Sequence, residues 1–142
     1  MPKAVVDTTV LFAAAYPRDT RHDEGVELLH GIDDGTLPNG VVLGYVVAET
    51  LNGLNEKGGH ELATEFLTRL EENDRFRIRR TNADDFADAK ATFCRYEALS
   101  FVDSLIVAYM RRKGFDYLYS FDDGFDATDV DRIVTATNPF EP

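Results

Sequence analysis

The sequence predicts an α/β fold: a central parallel sheet of four to five strands with helices on both faces. Two observations carry this. Short β-branched or aromatic apolar runs alternate along the chain with longer segments of helical periodicity. No repeat, low-complexity tract or Pro/Gly/Ser-rich linker interrupts that alternation over 142 residues, so residues 1–142 read as one domain.

The elements follow in order. Ala4–Asp7 is a short strand, and Thr8–Ala15 is a helix stopped by Tyr16-Pro17. Asp23–Asp34 keeps helical spacing through Val26, Leu29 and Ile32 and ends at Gly35. Val41–Leu43 is a β-branched run of the kind buried in parallel sheets. Tyr45–Asn55 continues as an apolar helix and stops at Gly58-Gly59. His60–Asn73 is amphipathic, with Leu62, Phe66, Leu67 and Leu70 on one face. Arg75–Arg79 alternates Arg-Phe-Arg-Ile-Arg, a strand exposed on one side. Asn82–Ala98 is a helix expected to turn Phe86, Ala89 and Phe93 inward, and Phe101–Lys113 a strongly apolar one. Tyr117–Tyr119 and Ile133–Thr135 complete the strands. In such sheets ligands bind beyond the carboxyl ends of the strands.

Composition narrows the function classes. Lys+Arg number 15 and Asp+Glu 26, for a net charge of −11, which excludes a broadly basic phosphate-gripping surface. Hydrophobic residues make up 44%, enough for a core, so the charge does not mean disorder. Only Lys3, Lys57, Lys90 and Lys113 are lysines, and Asp outnumbers Glu. That bias is expected of an acidic, halophile-like surface kept soluble in concentrated salt. Cys94 is the single cysteine, so no internal disulfide and no cysteine zinc site can form, and a reducing cytoplasm fits. No signal peptide and no stretch long enough to span a membrane is read from the sequence.

Four acids occupy informative positions. Asp7 closes the first strand, and Asp122 follows Tyr117-Leu118-Tyr119. Glu49 is the one charge between Val41 and Asn55, and Asp103 the one charge in Phe101–Ala108. Each has a plainer reading. Asp7 can cap the next helix, and Asp122 can belong to the turn Phe121-Asp122-Asp123-Gly124. Glu49 can be an exposed position on its helix. Ser100-Phe101-Val102-Asp103 fits a capping box, a role compatible with ligand binding at the same helix start. If the four converge, their mutual repulsion requires raised pKa values or a bound cation. An all-oxygen set favours Mg²⁺ or Mn²⁺, which suits phosphodiester hydrolysis.

With these residues in view, the sequence resembles the PIN-domain nucleases, and among them the VapC-type toxin ribonucleases. The resemblance runs from Val5-Val6-Asp7-Thr8-Thr9-Val10-Leu11 to Tyr119-Ser120-Phe121-Asp122-Asp123-Gly124-Phe125. Asp7 and Thr8 match the opening motif, while Thr9 stands where the family usually has Asn. Glu49-Thr50-Leu51-Asn52, Leu99-Ser100-Phe101-Val102-Asp103, and Ser120 with Asp122 and Phe125 match the later motifs. The resemblance implies that Asp7, Glu49, Asp103 and Asp122 are the metal-site acids. It implies catalytic support from Ser120, and polar support from Asn52 and Thr8. It further implies Mg²⁺- or Mn²⁺-dependent cleavage of single-stranded RNA, a homodimer, and silencing by a small antitoxin protein. The alternatives are a PIN-like module that binds a partner without catalysis, and an RNA-processing nuclease that is not a toxin. A response-regulator receiver fits less well, since the last strand ends Val134-Thr135-Ala136-Thr137 without the lysine a receiver needs. Arg75, Arg77 and Arg79 can contact RNA phosphates or protect a sheet edge. Arg111, Arg112 and Lys113 are expected to complement the negative end of their helix.

Overall fold

The computed structural model describes residues 2–141. Five parallel strands form one sheet in the order β3-β2-β1-β4-β5. They are β1 (Lys3–Val6), β2 (Asn39–Leu43), β3 (Phe76–Arg79), β4 (Tyr117–Tyr119) and β5 (Asp131–Ile133). The helices are α1 (Thr8–Ala15), α2 (His22–Asp33), α3 (Gly44–Gly58), α4 (His60–Glu72), α5 (Ala83–Arg95) and α6 (Phe101–Lys113). A short 3-10 helix, Asp123–Ala127, joins β4 to β5.

Parallel strands require crossovers, and crossovers are right-handed. The steps β1→β2 and β2→β3 run one way along the sheet, so α1–α4 cover one face. The step β3→β4 runs back across β2 and β1, so α5 and α6 cover the other. The packing agrees: α1 lies against α2 and α3, α3 against α4, and α5 against α6. The apolar runs seen in the sequence become the core. Ala4, Val5, Val6, Val41, Val42, Leu43, Leu118 and Tyr119 are buried between the two helical layers. Chain direction reverses between β1, which leads toward β2, and β4, which leads toward β5. That reversal opens a crevice at the carboxyl ends of β1 and β4.

Several expectations shift. The last strand is Asp131–Ile133, two residues earlier than Ile133–Thr135, because Tyr117–Tyr119 pair in register with Asp131–Ile133. Phe86 and Phe93 do not turn inward; they are 39% and 46% exposed. Ala89 makes the buried contact of α5, and both rings lie at the rim against Phe101, at 5.1 and 5.7 Å between centroids. β3 begins at Phe76 and buries only that residue, leaving Ile78 exposed, because it is the outermost strand. Arg112 does more than face a helix end. Its guanidinium makes two bonds to the Asp85 carboxylate, Nε to Oδ1 at 2.7 Å and Nη2 to Oδ2 at 2.8 Å. Asp85 is fully buried and also forms the capping box of α5 with Asn82. Among the described residues no helix is long and apolar enough to cross a membrane.

Candidate metal centre

The register of β1 and β4 places the first two site residues. Val6 pairs with Tyr119, and the Asp7 amide donates to the Tyr119 carbonyl at 3.0 Å. Asp7 and Ser120 therefore leave the sheet side by side at the crevice. Asp7 sits at the N-cap position of α1, yet its side chain makes no capping bond. It turns to the neighbouring strand instead. Its Oδ2 accepts from Ser120 Oγ at 2.7 Å and from Thr9 Oγ1 at 2.9 Å. Its Oδ1 is buried and has no hydrogen-bond partner, and the Thr8 hydroxyl is in the same condition. Buried polar atoms are nearly always satisfied, so two orphans at one strand end call for a partner from outside the chain, an ordered water or an ion.

Thr9, the departure from the family pattern, has a defined place. Besides holding Asp7, its Oγ1 accepts from the Phe121 amide at 3.0 Å. Ser120 Oγ accepts in turn from the Asp122 amide at 3.0 Å. The two hydroxyls thus tie the start of α1 to the loop after β4. The sequence marks Thr9 only as a departure that alters a supporting hydrogen bond; a hydroxyl within one turn of a strand-end acid is the signal for the bridge it forms.

Asp122 follows on that loop. Its Oδ1 accepts from the Gly124 amide at 2.9 Å and caps the 3-10 helix. Gly124 allows close approach to the segment before α6, since a Cβ there would lie 2.6 Å from the Ala98 carbonyl oxygen. That segment leads to Asp103. Ser100 and Asp103 form the expected capping box, with both bonds at 3.1 Å. The capping reading of Asp103 is thus observed, with its Oδ2 as the oxygen that carries the bond from the Ser100 amide. Arg132 braces the same loop, donating to the Ser120 carbonyl at 3.3 Å and forking onto Asp126 at 2.9 Å through both Nε and Nη2.

Electrostatics show which acids have been brought together. Burial raises the Asp7 pKa above its ordinary value, the Ser120 and Thr9 bonds oppose that rise, and the charge of Asp122 adds to it. Asp103 is pushed up to about 7, first by burial, then by the charges of Asp7 and Asp122. Asp7, Asp103 and Asp122 therefore feel one another across the crevice. Glu49 and Asn52 lie one helical turn apart on α3, both exposed. They sit in the helix that follows β2, and neither is among the charges felt by Asp7 and Asp103. Among the described residues no three His, Cys, Asp or Glu side chains are gathered tightly enough to hold a metal by themselves. The donors present nonetheless fit a hard divalent cation. All are oxygens, two are orphaned, and Mg²⁺ keeps several waters and needs few carboxylates.

The chain matches the PIN domain family over residues 4–131. The solved structure of the Mycobacterium tuberculosis toxin VapC20, which cleaves the sarcin-ricin loop, is 27% identical, with a TM-score of 0.76 over 89% of this chain and 98% of that one. A toxin–antitoxin complex from Klebsiella pneumoniae is 18% identical, with a TM-score of 0.63 over 95% and 98%. VapBC2 from Rickettsia felis, bound to promoter DNA, is 13% identical, with a TM-score of 0.68 over 92% and 97%. No curated protein matches in sequence.

Proposed function

The chain belongs to the PIN-domain family, and from that premise we propose that it is a metal-dependent endoribonuclease acting on single-stranded RNA, the toxin of a toxin–antitoxin pair. One observation carries this reading. Asp7 is a buried carboxylate with one oxygen fixed by Ser120 and Thr9 and the other without a protein partner, beside Asp103 and Asp122.

Asp7, Asp103 and Asp122, with Glu49 from the β2 side, would hold Mg²⁺ or Mn²⁺. The ion would supply positive charge against the phosphate and acidity to a bound water. The protein groups do the positioning. Ser120 and Thr9 fix Asp7 Oδ2 and so set the direction of Oδ1. Asp103 and Asp122 each have one oxygen engaged in a cap, at Ser100 and Gly124, which limits their rotation. Glu49 has neither a capping role nor an ion pair among the described residues. It would be the acid with the most freedom to turn toward the ion or a water on it, with Asn52 one helical turn on as a polar aid. The Thr8 hydroxyl, buried and orphaned, is a further polar contact for the same site.

Two partners belong to this reading, a second copy of the chain and a small antitoxin protein. The K. pneumoniae and R. felis structures are both toxin–antitoxin assemblies of this fold, which supports the second. The lysine-poor, Asp-rich surface supports a salty, halophile-like cytoplasm as the working medium. The test is cleavage of a defined RNA panel with and without Mg²⁺, at several KCl concentrations, with Asp7→Asn as control. Metal-independent cleavage, or full activity in Asp7→Asn, overturns the reading.

A further inference from the structure

The carboxyl end of β3 and the concavity beside it have no part in the site described above. Arg77, Arg79 and Arg80 are exposed there, and among the described residues none of them forms a salt bridge. In a chain of net charge −11 this is an uncompensated cationic spot. Beside it lies an open cavity of about 360 Å³ lined by Gly44, Tyr45, Ala48, Arg80 and Thr81. Tyr45 is 47% exposed. No side chain caps α3, whose first turn forms one wall.

The register locates this cavity relative to Asp7. Val41 of β2 pairs with Val5 on one side and Arg77 on the other. Continuing two residues puts Asp7, Leu43 and Arg79 on one level. Gly44 and Arg80 are one step beyond, on the same rim of the sheet as the acids. β2 separates β1 from β3, so the offset is two strand spacings, about 10 Å. Protection of a sheet edge accounts for Arg77 in mid-strand. It does not account for Arg80, which lies past the end of the ladder beside an exposed aromatic ring.

We propose that Tyr45 and Arg80 form a subsite for one nucleotide of single-stranded RNA flanking the phosphate held at the acids, the base stacking on Tyr45 and the backbone phosphate meeting Arg80. The inference rests on the nuclease reading and deepens it. The volume suits one base, stacking on an aromatic ring tolerates any base, and an unpaired arginine offsets the repulsion that the acidic surface exerts on RNA.

The test measures binding of a short fluorescein-labelled single-stranded RNA by anisotropy over a KCl series, in the Asp7→Asn background so that no RNA is cut. Arg80→Gln is expected to weaken binding about tenfold and to reduce the slope of log affinity against log salt by about 0.7, one phosphate contact. Tyr45→Ala is expected to lose about tenfold with the slope unchanged, and Tyr45→Phe to restore it. Arg77→Gln is expected to bind like the parent. Unchanged binding in Tyr45→Ala and Arg80→Gln overturns the subsite, as do equal losses in all three arginine and tyrosine variants, failure of Tyr45→Phe to rescue, or no RNA binding by the parent. A change of oligomeric state in Tyr45→Ala without a change in RNA affinity assigns the surface to a second copy and also overturns it. Metal-dependent cleavage by the wild-type chain is assayed separately. Cleavage without Tyr45 dependence removes the subsite and keeps the nuclease; Tyr45- and Arg80-dependent binding without cleavage does the reverse.

Discussion

Ser120 donates its hydroxyl to Asp7 Oδ2 at 2.7 Å across 113 residues of chain, joining the ends of two adjacent strands at the crevice. The same hydroxyl accepts from the Asp122 amide. Ser120→Ala therefore frees one acid and loosens the loop that carries another. Mg²⁺-dependent cleavage should fall by about 10–100-fold, with the Mg²⁺ midpoint moved upward. An unchanged midpoint and rate would show that the bond has no part in the chemistry.

Thr9 makes a parallel case with a sharper control. Thr9→Ser keeps the hydroxyl that bridges Asp7 and the Phe121 amide, and should keep activity. Thr9→Val keeps the shape and loses both bonds, so activity should drop by a similar 10–100-fold. Equal activity in the two variants would count against the bridge.

Asp7→Asn separates charge from fold. Removing a buried, partly unsatisfied carboxylate removes a desolvation cost, so the melting temperature in chelator should hold or rise. Added Mg²⁺ should raise the melting temperature of the wild type and leave the variant where it was. Scanning fluorimetry reads both, and equal Mg²⁺ shifts would remove Asp7 from the metal site.

Asp103 gives a pH signature. Its pKa is raised from 3.8 to about 7 in the fold. The folded chain then binds this proton more tightly than the unfolded chain. The stabilisation is fully present below about pH 4 and is lost as pH rises through about 7. In chelator, wild type should therefore lose stability relative to Asp103→Asn over that window, by urea unfolding. A divalent cation held there would take the deprotonated form, so added Mg²⁺ should stabilise wild type more at high pH than at low. A constant difference between the two proteins across the window would contradict this.

The Asp85–Arg112 pair governs stability. Arg112→Met leaves the Asp85 charge buried with only its cap bonds, and should lower the urea midpoint at neutral pH. The Arg112 bonds hold the Asp85 pKa below its ordinary value. The pair's stabilisation is thus present above about pH 4 and lost as pH falls further. Urea unfolding of wild type and Arg112→Met, compared at neutral and acid pH, checks both statements.

Much of this was legible in the sequence, for reasons visible in particular residues. β1, β2 and β4 are legible to within two residues at their ends because both their faces are covered, so Val5-Val6, Val41-Val42 and Leu118 form unbroken apolar runs. The capping box at Ser100 was legible because its partners are three residues apart. The strand ends that carry Asp7 and Asp122 were legible through the same apolar runs. What failed depended on depth within a layer. Phe86 and Phe93 have inward periodicity, yet α5 rests on Ala89 and leaves them at the rim. The burial of Asp85 has no local signal, because its partner Arg112 lies 27 residues away on another helix. Thr9 was unreadable for a similar cause: its acceptor and donor partners meet only when β1 and β4 pair.

The capping box at Asp103 bears on how this chain would decay if its chemistry fell out of use. Asp103 accepts the Ser100 amide at the start of α6, so a side chain there that cannot accept carries a folding cost even in a dead enzyme. Glu49 has no such anchorage. A silent descendant would keep an acceptor at 103, acid or amide, and shed the acid at 49 first, so an acid at the α3 position speaks for use far more than a capping side chain at the head of α6.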